Sequence, residues 1–228
     1  MTATPLTIAR PQGTPKGGII VIQEAFGVNG HIVDVCHRLA AQGWLAVAPH
    51  IFHRSGDPRL GYEDLSLIRP HIEALTLESV FVDLDAAIDA LKAEGIEPSR
   101  LGIVGFCLGG TIAFFAATRR PVGAAVTFYG GGITGRGVFP SQLDEASALA
   151  APWLGLYGDA DLGIPIGEVE QLRAAAAGAS VPTEVVRYPD AEHGFNCDQR
   201  ASFHPEVATV AWARMLAWFD RWLEGDTR

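Results

Sequence analysis

The sequence predicts an α/β fold in which helices flank a mostly parallel central sheet on both faces. Six short apolar runs have the length and β-branched composition of buried strands, and segments with helical spacing separate several of them. Such alternation is typical of parallel sheets, because each crossover between parallel strands needs a connecting segment. With 228 residues and 48% hydrophobic side chains, the chain is long enough for one such domain, so we expect a single domain over residues 1–228.

The predicted elements follow one another along the chain. Strands are predicted over residues 18–23, 44–49, 101–105, 124–129, 153–157 and 183–188. Helices are predicted over residues 32–40, 80–91 and 111–117, from apolar side chains three and four positions apart. A last helix begins near Pro205, and its apolar face should dock against the sheet. That face consists of Val207, Val210, Ala211, Met215, Trp218, Phe219 and Trp222.

Two segments show neither the helical nor the strand spacing of apolar residues. Residues 53–76 and residues 134–151 carry glycine or proline among polar residues, so we expect two irregular excursions. Loops of this kind often cover active sites.

The composition limits the kinds of molecule that the protein is expected to bind. A net charge of -9 disfavours nucleic acids and anionic membranes, and the long apolar run of a membrane span is missing. We expect a cytoplasmic monomer or homodimer that acts on a small molecule. The three cysteines are far apart, and no cysteine, histidine and carboxylate cluster has the spacing of metal ligands along the chain. We therefore expect no metal and no cofactor.

The most informative segment is a G-x-C-x-G sequence between a predicted strand and a predicted helix. Gly105 and Gly109 stand two residues before and after Cys107, as the small residues do around the nucleophile of a strand-turn-helix elbow. A thiol at the start of a helix is favoured as a thiolate, and the amide of Leu108 is placed for an oxyanion hole. The alternative is a buried structural cysteine, which is the interpretation we favour for Cys36.

The acid and the base should follow the nucleophile in chain order, each after a strand. Asp159 and Asp161 both follow the strand at 153–157, and the G-x-x-D spacing before a proline favours Asp161. Asp159 would then be a turn residue. His193 follows the last predicted strand on a glycine-containing loop, which makes it the candidate base among seven histidines.

Four segments together resemble the dienelactone hydrolase family. They are Q-E-A-F-G-V-N at residues 23–29, the elbow at 105–110, G-D-A-D at 158–161 and H-G-F at 193–195. The resemblance covers residues 16–223 and implies the α/β-hydrolase fold. It also implies that Glu24 lies beside Cys107 and helps to control its protonation, and that the Ala25 amide completes the oxyanion hole. Small enol lactones or activated esters would be hydrolysed through a thioester.

One position departs from the family pattern. Family members that cleave dienelactone bind the substrate carboxylate with arginines, one of them four residues after the base, where this chain has Cys197. Arg200, Arg69 and Phe195 are the remaining candidates for substrate binding. Cys197 itself either faces the site or is an ordinary loop thiol, and we favour the loop thiol.

Three other functions stay open at this point. The chain could be a general carboxylesterase with another substrate, or a ligand-binding or sensor protein that keeps the fold without turnover. An exposed thiolate at Cys107 would also react with peroxides, which allows a redox function.

Overall fold

A computed structural model of the chain describes residues 3–63 and 65–223, so the predicted domain over residues 1–228 extends beyond the described residues. One seven-stranded sheet organises the molecule, in the order β1-β3-β2-β4-β5-β6-β7. The strands are β1 Leu6–Ala9, β2 Gly18–Ile22, β3 Leu45–Pro49, β4 Leu101–Phe106, β5 Ala124–Phe128, β6 Trp153–Gly158 and β7 Thr183–Tyr188. Only the pairing of β1 with β3 is antiparallel among these strands.

Helices connect the parallel strands. They are α1 Gly30–Ala41, α2 Arg69–Glu73, α3 Leu77–Ala93, α4 Leu108–Arg119, α5 Gln142–Glu145, α6 Ile166–Ala176 and α7 Pro205–Leu223. Every residue of β2 to β6 is buried, which requires cover on both faces of the sheet. The fold is the predicted α/β-hydrolase fold. In the described part of the chain, no helix is both long and apolar enough to cross a membrane.

The structure corrects the predicted elements in several places. The edge strand β1 and helix α6 were not predicted, and the two segments expected to be irregular contain the short helices α2 and α5. The predicted apolar face of the last helix is wrong at Val210. That side chain is 54% exposed, whereas Ala208 and Leu223 are buried in its place. Residues three and four apart share a helix face, and the buried stripe runs through Ala211, Met215 and Phe219, on which Val210 does not lie.

The first excursion is anchored to the body of the molecule by buried charge. Asp83 on α3 is fully buried, and it accepts hydrogen bonds from Thr4 (2.6 Å), His53 (3.1 Å) and Arg54 (2.7 Å). A buried carboxylate needs such partners, because an unpaired charge away from water is costly. The start of this segment is therefore held against α3 through His53 and Arg54. Further along, part of the segment folds as the short helix α2.

Candidate active site

The elbow places Cys107 between β4 and α4 in a backbone conformation that side chains rarely adopt. Its φ is 54°, and it is the N-cap residue of α4. A side chain at Gly105 would collide with the Gly109 carbonyl, and one at Gly109 would collide with the carbonyls of Ile22 and Gln23. Both glycines thus let strand and helix approach closely. The turn presents the thiol beyond the strand, at the N-terminus of α4.

The base and the acid meet at the same edge of the sheet. His193 Nδ1 lies 2.6 Å from Asp161 Oδ2, and Asp161 Oδ1 accepts a hydrogen bond from the Gly163 amide at 2.8 Å. The carboxylate is 4% exposed as a residue, so both of its oxygens are held in a protected position. This arrangement orients the imidazole and favours the tautomer with a proton on Nδ1.

The electrostatics couple His193 to the thiol. Burial disfavours a charged imidazole, but the charge of Cys107 and hydrogen bonds with Asp161 and Cys107 outweigh it. Together they raise the pKa of His193 to about 10. An imidazolium near neutral pH is the partner that a thiolate needs, so the two groups can form an ion pair.

Asp159, the competing acid, is engaged elsewhere. Both of its oxygens accept hydrogen bonds from Arg187, at 2.6 Å and 2.8 Å. Arg187 also bonds to Glu170, so Asp159 belongs to a charge network on the β6 and β7 side of the sheet. Its role is the structural one that the turn position allowed.

An aromatic cluster supports the histidine from behind. The Tyr129 ring lies 5.2 Å from the ring of His193 and 5.1 Å from that of Phe195. Phe195 is fully buried and also contacts Phe128 and Tyr188, so it packs under the site. This burial gives no support for the prediction that Phe195 binds substrate, because the side chain packs within the aromatic cluster. Tyr129 was missed as a site residue, although an aromatic residue at the end of a predicted strand was a usable signal.

Glu24 is fully buried directly after β2. Its Oε2 accepts a hydrogen bond from the Tyr62 hydroxyl at 2.8 Å, and its Oε1 accepts one from Arg200 Nη1 at 3.1 Å. Gln23 beside it accepts a hydrogen bond from the Ile51 amide at 3.2 Å, which steadies this turn. Tyr62 lies in the first excursion, and nothing in the sequence singled out this residue.

The two predicted arginines differ sharply. The side chain of Arg69 is 81% exposed and forms an ion pair with Glu73, one helical turn away, so its geometry gives no support for substrate binding. The side chain of Arg200 is 18% exposed and lies against the Tyr62 ring, 5.4 Å from its centroid. A side chain at Gly194 would collide with the Arg200 guanidinium, so the glycine after the base makes room for this cation.

The residues after the nucleophile and after Glu24 share a small apolar cluster. Ala25 is buried with Phe26 and Ile68, and Leu108 packs against that cluster. Ala25 and Leu108, whose amides are the predicted donors of the oxyanion hole, therefore lie near one another.

The remaining thiols are both buried. Cys36 lies within α1, where burial raises its pKa to about 12, in keeping with a structural residue. Cys197 is fully buried as well, and it lies beside Glu24 and Tyr62 rather than on an open loop. The burial of Cys197 beside Glu24 supports the interpretation in which it faces the site, although the residue does lie in the loop before α7.

Known proteins resemble this chain over nearly its whole length. The profile of the dienelactone hydrolase family matches residues 5–223. A Yersinia pestis protein provisionally named carboxymethylenebutenolidase is 41% identical over 221 residues, which are 94% of this chain and 82% of that protein. An Escherichia coli K12 protein with the same name is 42% identical over 221 residues, covering 94% and 81%.

A solved structure agrees with these sequence relatives. The crystal structure of a protein from Klebsiella pneumoniae subsp. pneumoniae MGH 78578, provisionally described as a dienelactone hydrolase, superposes with a TM-score of 0.88 at 40% identity. The match covers 96% of this chain and 93% of that one. The chain therefore belongs to the dienelactone hydrolase family, and it is a hydrolase of esters or lactones on an α/β-hydrolase fold.

Proposed function

We propose that the protein hydrolyses small enol lactones or activated esters through a thioester on Cys107. The observation that carries the proposal is the 2.6 Å contact between His193 and a buried Asp161, beside a cysteine at a strained helix N-terminus. A nucleophile, a base and an acid that orients the base are the parts that covalent acyl transfer needs.

In the first half-reaction, the thiolate of Cys107 attacks the substrate carbonyl carbon and a carbon–sulfur bond forms. The carbonyl oxygen takes up the negative charge, and the amides of Ala25 and Leu108 stabilise it. Collapse of this intermediate breaks the bond to the ester oxygen, which leaves as an enolate and takes a proton from the His193 imidazolium. Thiolate is itself a good leaving group, so only substrates with good leaving groups pass forward.

In the second half-reaction, neutral His193 accepts a proton from water as that water attacks the thioester carbonyl. The second tetrahedral intermediate collapses, the carbon–sulfur bond breaks, and the carboxylic acid product is released. Cys107 returns to the thiolate, and the proton on His193 restores the ion pair. We assign Glu24 the role of controlling the proton of the thiol, because its buried carboxyl group follows Gln23, whose carbonyl lies against Gly109 of the elbow.

The substrate that the site favours carries a carboxylate. Arg200 is the cation that supports this choice, since its guanidinium is largely enclosed and electrostatically coupled to Cys107 and Glu24. A substrate carboxylate could share its five donors with Glu24, as guanidinium groups commonly do with carboxylates. Arg200 thus takes the place of the family arginine that Cys197 replaces.

Turnover of cis- and trans-dienelactone, monitored by ultraviolet absorbance beside a neutral phenyl ester, tests the proposal. We expect wild type to hydrolyse both substrate types, and intact mass spectrometry after rapid acid quench to detect an acyl adduct on Cys107. Turnover of the phenyl ester alone would keep the mechanism and favour a general carboxylesterase. Tight binding of lactones without turnover would favour the sensor function instead.

The role of Arg200 has its own test. Arg200→Gln should lower kcat/KM for dienelactone about 10- to 100-fold more than for the neutral ester, because a charge-assisted hydrogen bond contributes about 1.5–3 kcal/mol. Arg69→Gln is the matched control, and it should leave kcat/KM unchanged for both substrates. Equal losses on both substrates in Arg200→Gln would mean that Arg200 only supports Glu24.

A further inference from the structure

Three buried side chains with metal-binding atoms converge beside the elbow. Glu24, His31 and Cys197 are 0%, 1% and 0% exposed, and one ligand atom of each lies within 4.8 Å of the others. They come from three separate segments: the turn after β2, the first turn of α1 and the loop before α7. Their separation along the chain is why spacing in the sequence predicted no metal site.

His31 is the member of this cluster that the rest of the fold leaves unexplained. Among the described residues, neither of its ring nitrogens has a hydrogen-bond partner, although both are buried. The nearest ion-pair contact is to Asp198, at 3.9 Å from Nδ1, which is too long for a hydrogen bond. Buried polar groups are nearly always satisfied, so an unsatisfied imidazole aimed at a thiol and a carboxylate indicates a missing ligand.

We propose that Glu24, His31 and Cys197 form a binding site for a zinc ion. Zinc is coordinated by thiolate, imidazole and carboxylate at about 2.0–2.3 Å, and three protein ligands leave a fourth position for water. Calcium and magnesium prefer oxygen ligands, which makes this donor set unsuitable for them. Tetrahedral coordination at those lengths separates ligand atoms by about 3.5 Å, so the three side chains need to close by about 1 Å.

The donor set also suits zinc by charge. Proteins bind metal ions through neutral imidazole, thiolate and carboxylate groups, so zinc binding would release the thiol proton of Cys197 to solvent. The thiolate of Cys197 and the carboxylate of Glu24 would then offset the two charges of the ion.

Zinc at this position would act on the hydrolase site through Glu24. The carboxylate is now shared between Tyr62 and Arg200, and coordination would draw at least one oxygen from them. Arg200 would face a neighbouring cation, which opposes the binding of an anionic substrate. A filled site is therefore expected to reduce the hydrolysis of an anionic substrate. This effect on hydrolysis rests on the proposed function, whereas zinc binding itself does not.

Binding of Zn²⁺ and Co²⁺ to the full-length protein tests this inference without any substrate. The Cys107→Ala background removes the other reactive thiol, so that metal bound between Cys107 and His193 is not mistaken for the new site. Equilibrium dialysis followed by elemental analysis should find one zinc per chain in this background. Bound Co²⁺ should give a thiolate-to-metal absorption band in the near ultraviolet together with tetrahedral bands in the visible.

Two variants and one control decide the ligands. His31→Gln and Cys197→Ser in the Cys107→Ala background should each weaken zinc binding at least 10-fold, and Cys197→Ser should also abolish the thiolate band. His37→Gln, which alters an exposed histidine on the same helix, should bind like its parent. Circular dichroism of each apoprotein checks that the fold is intact.

The proposal is overturned by any of three results. These are no stoichiometric zinc in the Cys107→Ala protein, unchanged affinity in both ligand variants, or a thiolate band that persists in Cys197→Ser. Because none of these measurements uses catalysis, a failure here is separate from a failure of the proposed hydrolase mechanism.

Discussion

At two places among the described residues, an imidazole contacts both a thiol or hydroxyl group and a carboxylate, and only one of them has the burial and backbone that the proposed mechanism needs. At the elbow, His193 lies between Cys107 and Asp161, with 2.6 Å to the carboxylate. At the sheet edge, His50 Nε2 lies 2.9 Å from the Thr7 hydroxyl, and its Nδ1 lies 2.8 Å from Asp57. The distances alone do not tell the two apart.

The two arrangements differ in which group is buried, the carboxylate or the imidazole. At the elbow the acid is enclosed and the base is reachable: the side chains of Asp161 and His193 are 2% and 29% exposed. At the edge the base is enclosed and the acid is reachable, at 6% exposed for His50 and 32% for Asp57. A base must reach the substrate while its acid stays dry, so only the first order suits catalysis.

The backbone of the nucleophile differs as well. Cys107 stands on a strained turn at the start of α4, whereas Thr7 lies within β1 and pairs with Ala48 on β3. A strand residue has no helix N-terminus to stabilise an anion and no adjacent elbow to supply an oxyanion hole. Three side chains of the right types are therefore not enough for the proposed mechanism, which also depends on where the backbone places the nucleophile.

The largest predicted effect separates the two nucleophile-type residues. Cys107→Ala should lower kcat/KM for an activated ester by about 10³-fold or more, because no other group can form the acyl intermediate. Thr7→Val, which removes the edge hydroxyl at similar volume, should change kcat/KM less than about twofold. Steady-state kinetics on both variants measure this, and full activity in Cys107→Ala would refute the assignment.

The two aspartates after β6 give the next largest effect. Asp161→Asn should lower kcat by about 10²- to 10⁴-fold, since an amide holds the wrong tautomer of His193. Asp159→Asn is the matched control, because it loses charge in the Arg187 network while leaving the His193 contact intact. A larger loss of kcat in Asp159→Asn than in Asp161→Asn would reverse the choice of acid.

The ionisation of His193 should depend on Cys107. In wild type its pKa is raised to about 10 against an ordinary value of 6.5, so the protonated form stabilises the fold fully below pH 6.5. That contribution is lost as the pH rises through 10. Cys107→Ala removes the negative charge that contributes most to raising this pKa. The pKa of His193 should therefore fall by about two units or more. Histidine NMR titration measures it, and an unchanged pKa would exclude the ion pair.

The smallest predicted effect belongs to the edge arrangement. His50→Gln should lower the free energy of unfolding by about 1–3 kcal/mol, because partly buried partners at Thr7 and Asp57 lose their hydrogen bonds. Its effect on kcat/KM should stay within about twofold, since the residue is tied to the strand edge and not to the elbow. Urea unfolding and ester kinetics on the same preparation would check both halves, and a catalytic loss without a stability loss would contradict them.

Much of the fold could be predicted because its signals are local. The pattern of each of the six predicted strands depends on residues close together in the sequence, and five of those strands are fully buried while β7 is only partly buried. The glycines around Cys107 are likewise a local signal, and so are the turns that carry Asp161 and His193. Strand β1 escaped prediction because it is an edge of four residues in which Ile8 faces solvent, so it lacks a continuous apolar run.

The sequence by itself determined the α/β architecture, the elbow and the candidate triad, since periodicity and turn chemistry act over a few residues. Only the tertiary structure decided between Arg200 and Arg69, brought Tyr62 onto Glu24, and buried Cys197 beside His31. Those relations join segments that are distant along the chain. They arise when the loops at the carboxyl edge of a parallel sheet pack together, which no local pattern encodes.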